Sequence, residues 1–243
     1  MNISSLDSFI GLAKSKKIRK IAVAAAADEY VLASIKNACK EKLVIPILIV
    51  DQQKIEKLCK SIKFELSKIE IINEPDLYCS AAKSVELIRK GNADLLMKGL
   101  ISTDILLKAV LDKENGLRKG GVISHIAFFE SPYYHKIFAV TDAAMNIAPD
   151  LDEKVSIVKN VVEAFHRLGI KNPKVAVLCA VENVNSKMEA TMHAAMLTQM
   201  NKRGQIKNCI IDGPLAFDIA VSKEAAKHKG IISDVSGDAD IFI

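Results

Sequence analysis

The sequence predicts an α/β protein on a mostly parallel sheet, and three observations carry that expectation. Short apolar runs alternate with amphipathic helical stretches almost throughout the 243 residues, the arrangement that buries parallel strands beneath helices on both faces. Half of the residues are hydrophobic and 26% are charged, which supports a good core and argues against disorder. The rhythm breaks after Gly120-Gly121, where two apolar runs flank Glu130-Ser131-Pro132-Tyr133-Tyr134 and read as an antiparallel pair.

Taken in order, residues 6–13 read as a short helix, 18–26 as a strand, and 28–42 as a helix with apolar Val31, Ile35 and Ala38. Strands at 46–50 and 69–72 flank a helix at 52–61, and a helix at 76–89 ends at Gly91 as a C-cap. A strand at 94–97 and a helix at 105–111 close the first half. The antiparallel runs cover 122–129 and 136–140. A helix at 154–168, a strand at 175–180 and a helix opened by a Ser186-x-x-Glu189 capping box and running to Met200 follow. A strand at 209–211, a helix at 217–228 and a strand from 239 to 243 complete the chain. The expected boundary lies near Gly120 or Thr141, giving two lobes, 1–130 and 131–243.

Composition narrows the function. No apolar run reaches the roughly 18–20 residues of a membrane span. The amino terminus lacks a basic segment followed by an apolar one, so the expected compartment is the cytoplasm, with no membrane partner. The net charge is +5, and residues 1–120 carry 21 Lys+Arg against 15 Asp+Glu, a basic half suited to steering an anionic substrate. The lysines are scattered, aromatics make up 5%, and no nucleic-acid motif appears, so a phosphorylated small molecule is expected rather than nucleic acid. The five cysteines (Cys39, Cys59, Cys79, Cys179, Cys209) are far apart and read as isolated reduced thiols. The histidines, His125, His135, His166, His193 and His228, fall in no metal-binding spacing, so no metal is expected. Dinucleotide, P-loop and nucleophile-elbow fingerprints do not occur.

The most informative stretch is Ala93-Asp94-Leu95-Leu96-Met97-Lys98-Gly99-Leu100-Ile101-Ser102-Thr103-Asp104. An apolar strand reading as buried ends at a lysine and a glycine, and hydroxyls follow where a helix begins. Ligands of open α/β sheets bind beyond the carboxyl ends of strands. A helix amino terminus there offers free N–H groups to an anion. Lys98 adds a charge that, at a buried strand end, needs an anionic partner. Three further strand ends carry unusual polar residues: Thr141-Asp142 to Asn146, Glu182-Asn183-Val184-Asn185-Ser186-Lys187, and Asp212-Gly213-Pro214-Leu215. Simpler readings exist for each. Ser102, Thr103 and Ser186 could serve only as N-caps, worth about 1 kcal/mol each. Asp212-Gly213-Pro214 could be only a turn, and Asn146 and Asp150 could simply start a helix.

Seven ordered blocks also resemble the phosphate acetyl/butyryltransferase family, most closely its phosphate butyryltransferase (phosphotransbutyrylase) branch. They are Ala93 through Gly99, Phe129-Glu130-Ser131-Pro132-Tyr133, Thr141 through Ile147, Ala180 through Asn185, Arg203-Gly204-Gln205-Ile206, Asp212-Gly213-Pro214-Leu215-Ala216 and His228-Lys229-Gly230-Ile231. The resemblance implies a two-lobed, three-layer α/β/α fold like that of isocitrate and isopropylmalate dehydrogenases, with the site between lobes, and a homo-oligomer. It implies transfer of a short acyl group between CoA and inorganic phosphate through acyl phosphate, by direct attack without an acyl-enzyme and without a cofactor beyond CoA as substrate. Lys98, Gly99, Ser102 and Thr103 match the phosphate cradle, although the acetyl branch has Ser-Gly where Lys98-Gly99 stands. Lys108 stands where that branch has an arginine. Asp142, Asn146, Glu182, Asn185, Asp212 and Gly213 are expected to line the cleft. Family members continue past Ile243 with the segment that supplies the base. A chain stopping mid-strand is therefore expected to leave ladder partners unpaired and to show little or no catalysis, and no catalytic base is assigned. A silent CoA- and phosphate-binding homologue, a phosphate acetyltransferase and a dehydrogenase are the alternatives, the last favoured by fold alone.

Overall fold

The computed structural model describes residues 5–67, 69–118 and 120–243. They form two compact units, Ile10–Gly120, and residues 5–9 with Gly121–Ile243. The first helix, α1 (Leu6–Lys14), begins in the second of these: Phe9 meets Phe128 edge-on at 5.0 Å and the Leu6 amide donates to Glu130 Oε2.

The amino-terminal unit, Ile10–Gly120, repeats one device four times: an apolar strand, then a helix capped by a short polar residue. Its elements are β1 (Arg19–Ala24), α2 (Glu29–Lys40), β2 (Val44–Val50), α3 (Gln52–Ser61), β3 (Glu70–Asn73), α4 (Leu77–Arg89), β4 (Leu95–Lys98) and α5 (Thr103–Leu111). Asp28, Asp51, Asp76 and Ser102 accept from first-turn amides of the four helices that follow the strands, satisfying donors that have no intrahelical acceptor. The strands are all parallel, in the order β3-β2-β1-β4. Alternate strand residues face opposite layers. Val23 and Leu48 pack with Leu32, Ile35 and Ile55 on one face, and Ala22, Ile47 and Ile49 pack with Leu87 on the other. The chain steps outward from β1 to β3, then returns to place β4 on the far side of β1. The loops leaving β1 and β4 therefore part at a topological switch point. β4 is an edge strand with half-exposed residues, which corrects the expectation that Lys98 ends a buried strand.

The carboxy-terminal unit contains β5 (Ala127–Phe129), β6 (Phe138–Val140), α6 (Leu151–Arg167), β7 (Lys174–Leu178), α7 (Glu189–Lys202), β8 (Ile210–Leu215), α8 (Phe217–Val221), α9 (Lys223–His228) and β9 (Ile241–Phe242). Its sheet runs β5-β6-β9-β7-β8, and only β5 with β6 is antiparallel. Because that hairpin stays whole, the compact unit starts at Gly121 rather than at residue 131. Phe165, Leu197, Ile211 and Ile241 fill one face of the sheet, and Phe242, Leu215, Ile219 and Val235 the other.

Four local expectations are corrected here. The final segment lies inside the sheet with its ladder made on both sides, Thr141 N donating to Phe242 O and Leu178 N to Ile243 O. Asp212-Gly213-Pro214 is part of β8, not a turn, and Pro214 fits because β8 is an edge strand. Ser186 does not cap α7, whose N-cap Met188 has no side-chain bond. Instead the buried Thr191 hydroxyl accepts from Asn185 N at 2.9 Å and reaches back to Asn185 O and Met188 O, and the helix starts at Glu189, the last residue of the predicted box. The helix expected at 217–228 also breaks, at Ser222, which caps α9 by accepting from Ala225 N.

Candidate active site

In the amino-terminal unit the switch point is built around Gly99. A Cβ there would lie 2.3 Å from Ala25 O and 2.5 Å from Ala24 O, so only glycine lets the turn rest on the end of β1. Gly99 N donates to Ala24 O and Leu100 N to Ala25 O, each at 2.8 Å. The turn curls back so that Lys98 Nζ donates to Ile101 O at 2.9 Å. Lys98 is exposed, and among the described residues no carboxylate lies within ion-pair distance of it. Two of its three N–H donors therefore remain for another acceptor.

Ser102 follows at once. Its hydroxyl accepts from Ile105 N at 3.3 Å, so the capping reading holds, and the earlier first-turn amides of α5 stay without an intrahelical acceptor. Thr103 is the first residue of α5 and exposed. Lys98, Gly99, Ser102 and Thr103 are thus brought together. Lys108 is not part of that group: its ammonium pairs with Asp104 at 2.9 Å on the exposed side of α5, and that carboxylate raises its pKa.

Ser80 is a contributor that sequence reasoning missed. From the buried face of α4 its hydroxyl accepts from Ala25 N at 3.0 Å and donates to Ile49 O at 3.1 Å, tying the ends of β1 and β2 together. Its partners lie 55 and 31 residues away and are backbone atoms, so no local pattern signals it.

In the carboxy-terminal unit the singled-out residues are held in internal networks. Asp142 accepts from the amides of Ala144 and Met145 and from the Asn146 side chain, which also donates to Ile123 O. Burial raises the Asp142 pKa, but these donors outweigh it and hold the carboxyl below its ordinary value. Glu182 takes a 2.7 Å bond from Lys229, which also reaches Asp218 at 3.0 Å. The Lys229 bond lowers the pKa of both acids, and the two acids raise that of Lys229. Asn185 accepts from Lys187 N, closing its own loop. Asp212 accepts from Gly213 N, and Gly213 lies against Val177, where a Cβ would come within 2.8 Å. The Asp142–Asn146 pair and the Glu182–Lys229–Asp218 triad are separate groupings. Lys154 Nζ meets His193 Nδ1 at 2.9 Å, a contact that makes that ring nitrogen an acceptor.

None of the thiols is activated. Burial raises the pKa of Cys39, Cys59 and Cys179 and pushes Cys209 up to about 11, while Asp76 raises that of Cys79. Among the described residues no group of three or more His, Cys, Asp or Glu side chains is placed to hold a metal ion. No helix among them is long and apolar enough to cross a membrane.

Residues 75–243 match the family described as phosphate acetyl/butaryl transferase. The chain belongs to this family. A phosphate butyryltransferase from Clostridium acetobutylicum is 47% identical over 99% of this chain and 80% of its own length. One from Clostridium beijerinckii is 43% identical over 98% of this chain and 79% of its own. The solved structure of a branched-chain phosphotransacylase from Enterococcus faecalis V583 superposes with a TM-score of 0.81 at 32% identity, covering 93% of this chain and 78% of that one. The predicted fold class, a mostly parallel α/β architecture with one antiparallel pair, is therefore that of a phosphate acyltransferase family member.

Proposed function

We propose that this protein is an acyltransferase exchanging a short-chain acyl group between CoA and inorganic phosphate, with butyryl-CoA and phosphate giving butyryl phosphate and CoA reversibly. The 47% identity to a phosphate butyryltransferase over 99% of this chain carries this reading, and the switch-point turn agrees with it. A phosphate oxygen attacks the thioester carbonyl, a C–O bond forms, the C–S bond breaks, and CoA leaves as thiolate and takes up a proton. In the reverse direction the CoA thiolate attacks the acyl phosphate directly. The raised thiol pKa values support a route without an acyl-enzyme.

In this reading the free donors of Lys98, the first-turn amides at Thr103 and the Ser102 and Thr103 hydroxyls bind the phosphate, and Gly99 lets the backbone approach. Lys108 is a second cation further along α5. Asp142, Asn146, Glu182, Asn185, Asp212 and Gly213 belong to the acyl-CoA side, acting chiefly by shaping their loops. The proposal includes a homo-oligomer working in the cytoplasm, with CoA as substrate and no bound cofactor. The test is phosphate-dependent release of CoA thiol from butyryl-CoA. Release is expected. If a control enzyme releases thiol and this protein does not, the reading fails, and calorimetric binding of CoA without turnover would mark a silent binding homologue instead.

A further inference from the structure

Beside the Lys98 turn, the carboxyl ends of β1, β2 and β3 enclose a recess of about 120 Å³. Its wall is largely apolar: Ala25, Ala27, Val50, Pro75, Leu77 and Leu100. Of its three polar neighbours, Asp51 is already engaged, capping α3 and standing 3.6 Å from Lys54. Glu74 is the third. Leu100 joins the recess to the phosphate turn, because its amide is fixed to Ala25 O while its side chain stays 63% exposed. Leu77 is 40% exposed on the same recess. Leucines that together line a concavity in water form an apolar patch that an apolar ligand would cover.

We propose that this recess receives the acyl chain of the substrate, and that Leu100, Leu77 and Ala27 set the chain length accepted. The proposal rests on the transferase reading and deepens it. Neighbouring strands are about 4.8 Å apart, so the recess, which runs from β1 to β3, lies about one to three strand spacings from the end of β4. That places it about 5–15 Å from Lys98, with its β1 side near enough for a chain whose phosphate end sits at the turn. Size points the same way. An apolar cavity of about 150 Å³ takes a six-carbon ring, so about 120 Å³ suits a straight chain of about four carbons.

The test compares the full chain with Ala27→Leu, which fills the recess, and Leu100→Ala, which widens it at an exposed position. In the phosphate-dependent assay Ala27→Leu is expected to lower the butyryl-CoA to acetyl-CoA ratio of kcat/KM about tenfold. Leu100→Ala is expected to raise the hexanoyl-CoA to butyryl-CoA ratio by a similar factor. If both variants slow every acyl-CoA by one common factor and leave the ratios unchanged, the recess holds another part of CoA and the proposal is overturned. If no acyl-CoA turns over at all, the transferase reading falls and titration decides the recess. Tighter binding of butyryl phosphate than of acetyl phosphate, lost in Ala27→Leu, sustains it, and equal binding overturns it.

Discussion

At the carboxyl edge of the amino-terminal unit, Lys98 holds one backbone carbonyl and keeps two donors free, and Leu100 and Leu77 stand in water beside an apolar recess. At the same edge of the carboxy-terminal unit, Asp142 holds Asn146 and its own loop, and Glu182 shares Lys229 with Asp218. Both units run strand to helix over a largely parallel sheet, so layout does not separate them. They differ in whether polar groups at the edge are already satisfied by the protein. A motif residue whose hydrogen bonds are complete supports a loop, whereas one with donors left over can bind a ligand.

The largest effect is expected where backbone is pressed on backbone. Gly99→Ala should destabilise the protein by about 3 kcal/mol in urea unfolding, because carbonyls of β1 stand where the new methyl would go. Gly213→Ala, facing a valine side chain as well as a carbonyl, should cost about 2 kcal/mol. Lys98→Met should lower kcat/KM with phosphate about a hundredfold and leave the unfolding midpoint in place. A midpoint that moved with activity would put Lys98 among the loop-building residues and end the contrast between the units.

Asn146→Ala tests the other side of that contrast. It strips a partner from Asp142 and leaves Ile123 O without its donor, and should lower stability by about 1–2 kcal/mol, visible in a urea titration without substrate. A pH effect should follow from Asp238, an acid engaged by Lys174, Lys136 and His135 at 2.8–2.9 Å. Burial raises its pKa, but the three partners carry it well below the ordinary aspartate value. Its folded pKa lies below the unfolded one, so its stabilisation is complete above about pH 4. It is lost as pH falls further. The stability gap between the wild type and Asp238→Asn should therefore be widest near neutrality and shrink on acidification below about pH 4. Lys108→Gln should do least. Its Asp104 pair is exposed, and exposed pairs contribute little, so the midpoint should not move and the phosphate KM should rise less than about threefold.

Much of the fold was legible along the chain. Asp28, Asp51 and Asp76 stand where capping chemistry requires short polar acceptors, and the apolar runs of β1 and β2 marked the centre of their sheet. The Lys98-Gly99 turn leading into Ser102 and Thr103 was legible as a turn for the same local reason: a strand end followed at once by a helix start. Asp212 and Pro214 misled because a turn-like triplet sits in an edge strand, where one side of the backbone needs no ladder partner. Ser186 misled because the Thr191 hydroxyl, five residues on, takes up the loop's backbone groups in place of the predicted box.

Sequence alone determined the alternation of strand and helix, the caps, the antiparallel hairpin and the family, since these follow from neighbouring residues and their spacing. Tertiary structure decided which polar groups are left with free donors. It also placed Ala27, Leu77 and Leu100 around one recess and used Ser80 to tie two strand ends. Those outcomes depend on atoms tens of residues apart meeting within hydrogen-bond or van der Waals distance, and only the packed sheet sets those distances.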